Sequence, residues 1–195
     1  MLALLTGSGQ IMKKLGESDL RLAHKIQNYL LILLILPPVF SVIGGTSFGW
    51  YLGASEPIVL TMAQSVTISI LYFVALCFGF FSTVFIAHWM GQTYGVDAPI
   101  QVYLAFFTVV CAPLLIASVA HLFPHVFFNV VVMIPALIWS LLRLYTGLPV
   151  ALNIPTERGM LMSSALVGWL LVAAVSLLGL SAALWTIGLG PAIRV

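Results

Sequence analysis

From Ala98 to Leu142 the chain runs for 45 residues without a formal charge, and the stretches 26–55, 57–96 and 159–193 are equally bare. A soluble domain of ordinary composition carries about a quarter charged residues. Here charged residues make up 6% and hydrophobic ones 62%, too little charge to cover a water-facing surface. A membrane-spanning helix needs roughly 20 apolar residues, so each bare run holds at least one. Lipid is therefore the main solvent, and 195 residues leave no room for a soluble catalytic domain beside the bundle.

The run 98–142 is long enough for two helices, and His121-Leu122-Phe123-Pro124-His125 supplies a turn at its centre. The run 57–96 offers only the lone Gly79 as a break, which favours one long helix. The expected spans are about 29–48, 62–89, 102–120, 125–145 and 161–187, following a separate segment 1–28. With five spans, Lys13, Lys14, Arg21, Lys25, Arg143 and Arg158 fall on one side and Arg194 on the other. The positive-inside rule makes the richer side cytoplasmic. Splitting 57–96 in two would destroy that asymmetry. The expected fold class is all-α, a membrane bundle of five transmembrane helices with its N-terminus in the cytoplasm.

Within residues 1–28, Met1 to Leu5 is apolar but precedes Lys13 and Lys14, the reverse of a cleaved signal, so the first long apolar segment is expected to stay in the membrane. Ile11, Met12, Leu15, Leu22 and Ile26 alternate with Lys13, Lys14, Arg21 and Lys25 at roughly helical spacing. That pattern predicts a short interfacial helix ending near Asn28, apolar side in the headgroup boundary, with Gly16 as its weak point.

Membrane enzymes and transporters place ionisable residues inside their spans, and these spans hold almost none. Arg143 lies near a predicted helix end, where it can snorkel to the interface. No Ser/His/Asp set, HExxH pair, CxxC or glycine-rich phosphate loop occurs, so no catalytic residue, cofactor or metal is assigned. His121 and His125 with Glu56 form the best metal-ligand set, a weak one that reads by default as interfacial polarity. Cys77 and Cys111 lie in apolar runs and read as packing residues; whether they touch is open. The net charge of +2 says little about nucleic acid, since the basic residues are few and sit beside membrane segments, and no nucleic-acid partner is expected. Trp50, Tyr51, Trp89, Tyr94 and Trp185 fall near helix ends as an aromatic belt.

Interaction is the remaining theme. Pro37 and Pro38 in the first span remove backbone donors, so a kink and carbonyls offered to neighbouring Ser or Thr hydroxyls are expected, and Pro113 in the third frees a carbonyl that could line a neutral path. Ser65/Ser69, Gly79/Thr83 and Gly179/Ala183 repeat small residues four apart, which lets helices approach closely, most simply within one chain. After the fourth span, Gly147 allows the helix to end and Pro149 and Pro155 stiffen the chain. Asn153, Glu157 and Arg158 then face water on a cytoplasmic connector able to serve as a recognition surface.

Several segments occur together in one order: Val42-Ile43-Gly44-Gly45-Thr46, Gly49-Trp50, His88-Trp89-Met90, Cys111-Ala112-Pro113-Leu114, Pro124, Tyr145-Thr146-Gly147-Leu148-Pro149, Asn153-Ile154 and Glu157-Arg158-Gly159. From about residue 10 onward the chain resembles the Yip family of Ypt/Rab-interacting polytopic membrane proteins, in its small bacterial inner-membrane branch. The resemblance implies five spans, a cytoplasmic N-terminus and residence in a bacterial inner membrane. Eukaryotic members are associated with small GTPases and membrane shaping through an Asp-Leu-Tyr-Gly-Pro-type motif. That motif is absent here, so GTPase binding is not carried over. The sequence favours a non-enzymatic membrane protein that contacts the lipid bilayer and binds partner proteins at its cytoplasmic face, or a second copy of itself, or organises the bilayer. The alternative is a carrier or channel for a neutral solute or lipid, with Gln64, Ser65, Thr67, Ser69, Ser82, Thr83 and Asn129 lining a path.

Overall fold

A computed structural model describes residues 7–51 and 61–186. Two short helices, α1 (Ser8–Gly16) and α2 (Leu20–Gln27), precede five long ones: α3 (Leu30–Ser47), α4 (Met62–Thr93), α5 (Ile100–Ala117), α6 (Val126–Ala151) and α7 (Thr156–Thr186). A 3₁₀ segment, Ser118–Leu122, extends α5. No strand forms among the described residues; an isolated bridge pairs Tyr51 with His125. Five helical segments are long and apolar enough to cross a membrane.

The run 57–96 forms one helix, and Gly79 does not break it. Thr61 caps α4 by accepting from the Gln64 backbone N–H, and the Gln64 side chain accepts from the Thr61 backbone in return. This satisfies two of the N–H groups that a helix start leaves over. The short α5 forms the axis: 67% of its span is buried, against 11–39% for the other four. Val102, Phe106, Val109 and Ala112 on α5 are fully enclosed or nearly so. The outward faces of α4, α6 and α7 expose rows of Leu, Ile, Val and Phe, the arrangement that hydrocarbon solvates.

Several boundaries differ from the sequence reading. The fourth span does not end at Gly147; α6 continues through Pro149 to Ala151. A Cβ at Gly147 would press on Met12 of α1 and Phe106 of α5, at 3.2 Å from each, so this glycine serves close packing rather than helix termination. The fifth span begins at Thr156, placing Glu157 and Arg158 in its first turn. The connector thus shrinks to residues 152–155. Pro37 and Pro38 are buried within an uninterrupted α3, and among the described residues no hydroxyl serves the carbonyls they leave open.

The N-terminal segment is amphipathic and helical as expected, but it is two helices broken at Ser18, whose φ is +59°. Its apolar side chains are not presented to headgroups. Met12 and Leu15 are 3% and 1% exposed, and Ala23 and Ile26 are equally enclosed. They join the core cluster with α5 and α6. Gly16 closes α1 directly against the Val150 carbonyl, where no Cβ would fit. The predicted periodicity was that of a docking face. The surface it docks on is protein.

Candidate functional site: a polar pocket where three helices end

Both α1 and α2 sit at the end of the bundle that carries the 94–98 and 152–155 turns. Among the described residues every charged side chain but Arg143 gathers there, with Lys13, Lys14, Glu17, Asp19, Arg21, Lys25, Asp97, Glu157 and Arg158 all exposed. Between them opens a pocket of about 410 Å³ whose lining includes Ser18, Tyr94, Asp97, Asn153 and Arg158. Four described residues have positive φ, and Ser18 (59°), Gly95 (76°) and Asn153 (52°) all line this pocket. Each terminates a helix in the same way. Asp19 N–H donates to Lys14 O and Ser18 N–H to Leu15 O; Val96 donates to Gly91 and Gly95 to Gln92; Ile154 donates to Pro149 and Asn153 to Val150. The left-handed residue turns the chain back so that paired N–H groups satisfy carbonyls of the last turn.

Three helix C-termini therefore converge on one pocket. Each carries a partial negative charge of roughly half a unit, and the carbonyls left over by each cap remain acceptors. Asp97 adds a carboxylate and Arg158 is the cation in the lining. The same three turns open α2, α5 and α7, whose N-termini carry the opposite partial charge, so the pocket offers both acceptors and N–H donors. It brings together Asn153 and Arg158 of the sequence candidates; Glu157 is exposed beside it in the first turn of α7. Asp97 and Ser18 carry no such signal in the sequence, and Tyr94 reads there only as a belt aromatic, because a turn residue has no pattern that shows which other turns it will face.

Pro113 and Arg143, expected to act separately, form one arrangement. Proline has no N–H, so Pro113 leaves the carbonyl of Val109, four residues earlier, without its helical donor. Arg143 supplies it: its Nη1 donates to Val109 O at 2.9 Å. The guanidinium also lies over the Trp139 ring at 4.9 Å from the centroid. Arg143 is 5% exposed and stands eight residues before the end of α6, about 12 Å along its axis. Its side chain also lines a pocket of about 210 Å³ with Ser8, Gly9, Thr146 and Val150. The donor is a guanidinium, which carries five N–H groups.

At the opposite end, His121 Nδ1 lies 2.6 Å from Asn129 Oδ1 and its Nε2 lies 3.4 Å from the Tyr72 hydroxyl. Asn129 Nδ2 donates to the Phe123 and His125 carbonyls. These bonds hold the reversal between α5 and α6. Gly44 lets α3 pass against the His121 carbonyl at the same level. His121 is thus engaged structurally, while Glu56 lies outside the described residues. Among the described residues no group of three or more potential metal ligands occurs.

The hydroxyls proposed to line a transport path are mostly turned back on their own helices. Thr67 donates to Ala63 O, Thr83 to Gly79 O at 2.6 Å, and Ser82 to Gly79 O while accepting from Trp169. What opens between α4, α5 and α7 is apolar, a cavity of about 350 Å³ bounded by residues such as Leu76, Phe80, Phe107 and Leu114.

The family comparison covers this whole architecture. The model of the Yip1 domain matches residues 10–179, from α1 to within the last turns of α7. The chain belongs to the Yip1 domain family. The proteins it resembles include Inner membrane protein YohC of Escherichia coli K12 and YohC of E. coli O6:H1. Each is 24% identical over 177 residues, covering 91% of either chain. No solved structure matches. The match places α1, α2 and the three-turn pocket within the Yip1 domain itself, together with Pro113 and Arg143.

Proposed function

We propose that this Yip1-domain protein is a non-enzymatic, multi-pass protein of a bacterial inner membrane that binds a partner protein at its charged end. The observation that carries the reading is the pocket formed by three helix C-termini. Elsewhere the hydroxyls of the spans mostly donate to backbone carbonyls, whereas here mixed charges stand exposed. The resemblance to an inner membrane protein supports the compartment. The five exposed basic residues Lys13, Lys14, Arg21, Lys25 and Arg158 support a cytoplasmic orientation for this end. A surface of mixed charges, acceptors and N–H donors suits a polar partner segment.

The test is site-specific photo-crosslinking in native membranes. A photoreactive residue at Asn153 is expected to yield a discrete protein adduct that Asp97→Asn weakens, while one at the lipid-facing Leu171 yields none. Absence of any adduct at Asn153, with unchanged membrane morphology on deletion, would sink both partner binding and bilayer organisation. The carrier reading is the weaker one. Three of its five hydroxyls, those of Thr67, Ser82 and Thr83, are taken by their own helices, and flux of a neutral solute into liposomes above the empty-vesicle rate would restore it.

A further inference from the structure

We propose that Lys13 and Lys14 of α1 bind the phosphate groups of anionic phospholipids in the leaflet around the charged end of the bundle. Depth selects this partner. Gly16 of α1 closes on the Val150 carbonyl, a Cβ on Gly147 would meet Met12 at 3.2 Å, and Ser8 and Gly9 share a pocket with Arg143. Arg143, Gly147 and Val150 form one stripe along α6, and Ser8, Met12 and Gly16 follow one another at the same spacing on α1. The two helices therefore run side by side in the same direction for two turns. α1 begins beside Arg143, about 12 Å short of the end of α6.

The 26 residues of α6 rise about 39 Å. A bilayer has a hydrocarbon core of roughly 30 Å, and about 40–45 Å with both headgroup layers. Centred there, α6 leaves about three residues at each end among the headgroups. Val150 is then at phosphate depth, and Gly147 is at the edge of the hydrocarbon. Between Met12 and Gly16, which touch these two levels, α1 carries Lys13, Lys14 and Leu15. Met12 and Leu15 are buried against the bundle, and both lysines are exposed on the free side of α1. The flank of α6 beside them exposes Leu142 and Val150, a surface that lipid solvates. Among the described residues neither lysine is joined to a carboxylate, although Glu17 follows Lys13 by one turn. An ammonium group offers three donors and a full charge to a phosphate at its own level. Met12 and Leu15 hold α1 on the bundle whatever the lipid; the lysines select which lipid lies beside it.

The experiment uses the full chain in nanodiscs of a zwitterionic phospholipid doped with one of two probes. Both probes carry a diazirine in the headgroup and the same acyl chains, but one headgroup is anionic and the other zwitterionic. After irradiation, adducts are mapped by peptide mass spectrometry. A juxtamembrane lysine favours anionic lipid by about fivefold. Adducts on residues 10–17 are therefore expected at least about fivefold more often with the anionic probe. Lys13→Gln/Lys14→Gln is expected to bring the two probes to within about twofold of each other. Arg21→Gln/Arg158→Gln removes the same two charges from the same end and is expected to keep the preference. Equal labelling of residues 10–17 by both probes in the wild-type chain, or no labelling there by either, overturns the proposal. An equal fall in the two double variants also overturns it, because the preference then belongs to the diffuse charge of this end. The wild-type comparison decides the matter even where a variant fails to fold.

Discussion

Replacing Arg143 by Met removes the donor that Arg143 Nη1 gives to Val109 O. A buried carbonyl left without a partner costs about 1–3 kcal/mol. Loss of the cation–π contact with Trp139 adds about 1 kcal/mol. Against these stands the cost of holding a guanidinium in the membrane, about 2.5–3.5 kcal/mol at a helix centre. The opposing terms are of similar size, so the net effect of the single substitution does not identify its cause. The coupling to Pro113 does. In Pro113→Ala the new N–H serves Val109 O, and the arginine is no longer the group that satisfies it. Arg143→Met is therefore expected to be less harmful in the Pro113→Ala background than in the wild type, by about 1.5 kcal/mol. The readout is unfolding in mixed micelles titrated with dodecyl sulfate, followed by far-ultraviolet circular dichroism on all four members of the cycle. Additivity within about 0.5 kcal/mol would refute the reasoning.

Other outcomes follow from the geometry. Gly91→Leu drives a side chain into the Tyr103 hydroxyl and is expected to cost about 1–3 kcal/mol, whereas Gly168→Ala, in open space, is neutral or stabilising by up to about 1 kcal/mol in the same titration. Asn153→Gly keeps the left-handed cap and changes stability by a few tenths of a kcal/mol; Asn153→Val is expected to lose about 1–2 kcal/mol, since a β-branched residue resists φ near 52°. Residues 10–28 are expected to be equally protected from hydrogen exchange in neutral and anionic liposomes, because Met12, Leu15 and Ile26 are held by the bundle. Strong dependence on anionic lipid would return α1 and α2 to the membrane surface.

The positions of charge made the architecture legible. Bare runs set the five spans, and the weakness of Gly79 as a breaker correctly left α4 whole. Helix boundaries were less legible. Gly147 carries a stop signal that tertiary packing overrides, because Met12 and Phe106 need the space. The true stop is Asn153, which the sequence marked as a recognition residue rather than a cap. Moving that boundary is what turned Arg143 from an interfacial residue into a buried one. The amphipathic pattern of residues 11–26 described a docking face correctly and could not name the surface it meets, since lipid headgroups and a protein groove select the same periodicity. Freed proline carbonyls were anticipated as a class, yet only the packing of α5 on α6 joins Val109 to Arg143.

The measurement that tests the account most directly is the sidedness of the three-turn pocket in intact cells. Single cysteines introduced at Ser18 and Thr156, on a background lacking Cys77 and Cys111, are probed with a membrane-impermeant maleimide, alongside one at Ser55, which follows α3 and precedes α4 in sequence. The account predicts labelling of Ser55→Cys from outside, and of Ser18→Cys and Thr156→Cys only after the cytoplasmic face is opened. Labelling of Thr156→Cys from outside would contradict it, because a pocket facing away from the cytoplasm could not receive a cytoplasmic partner.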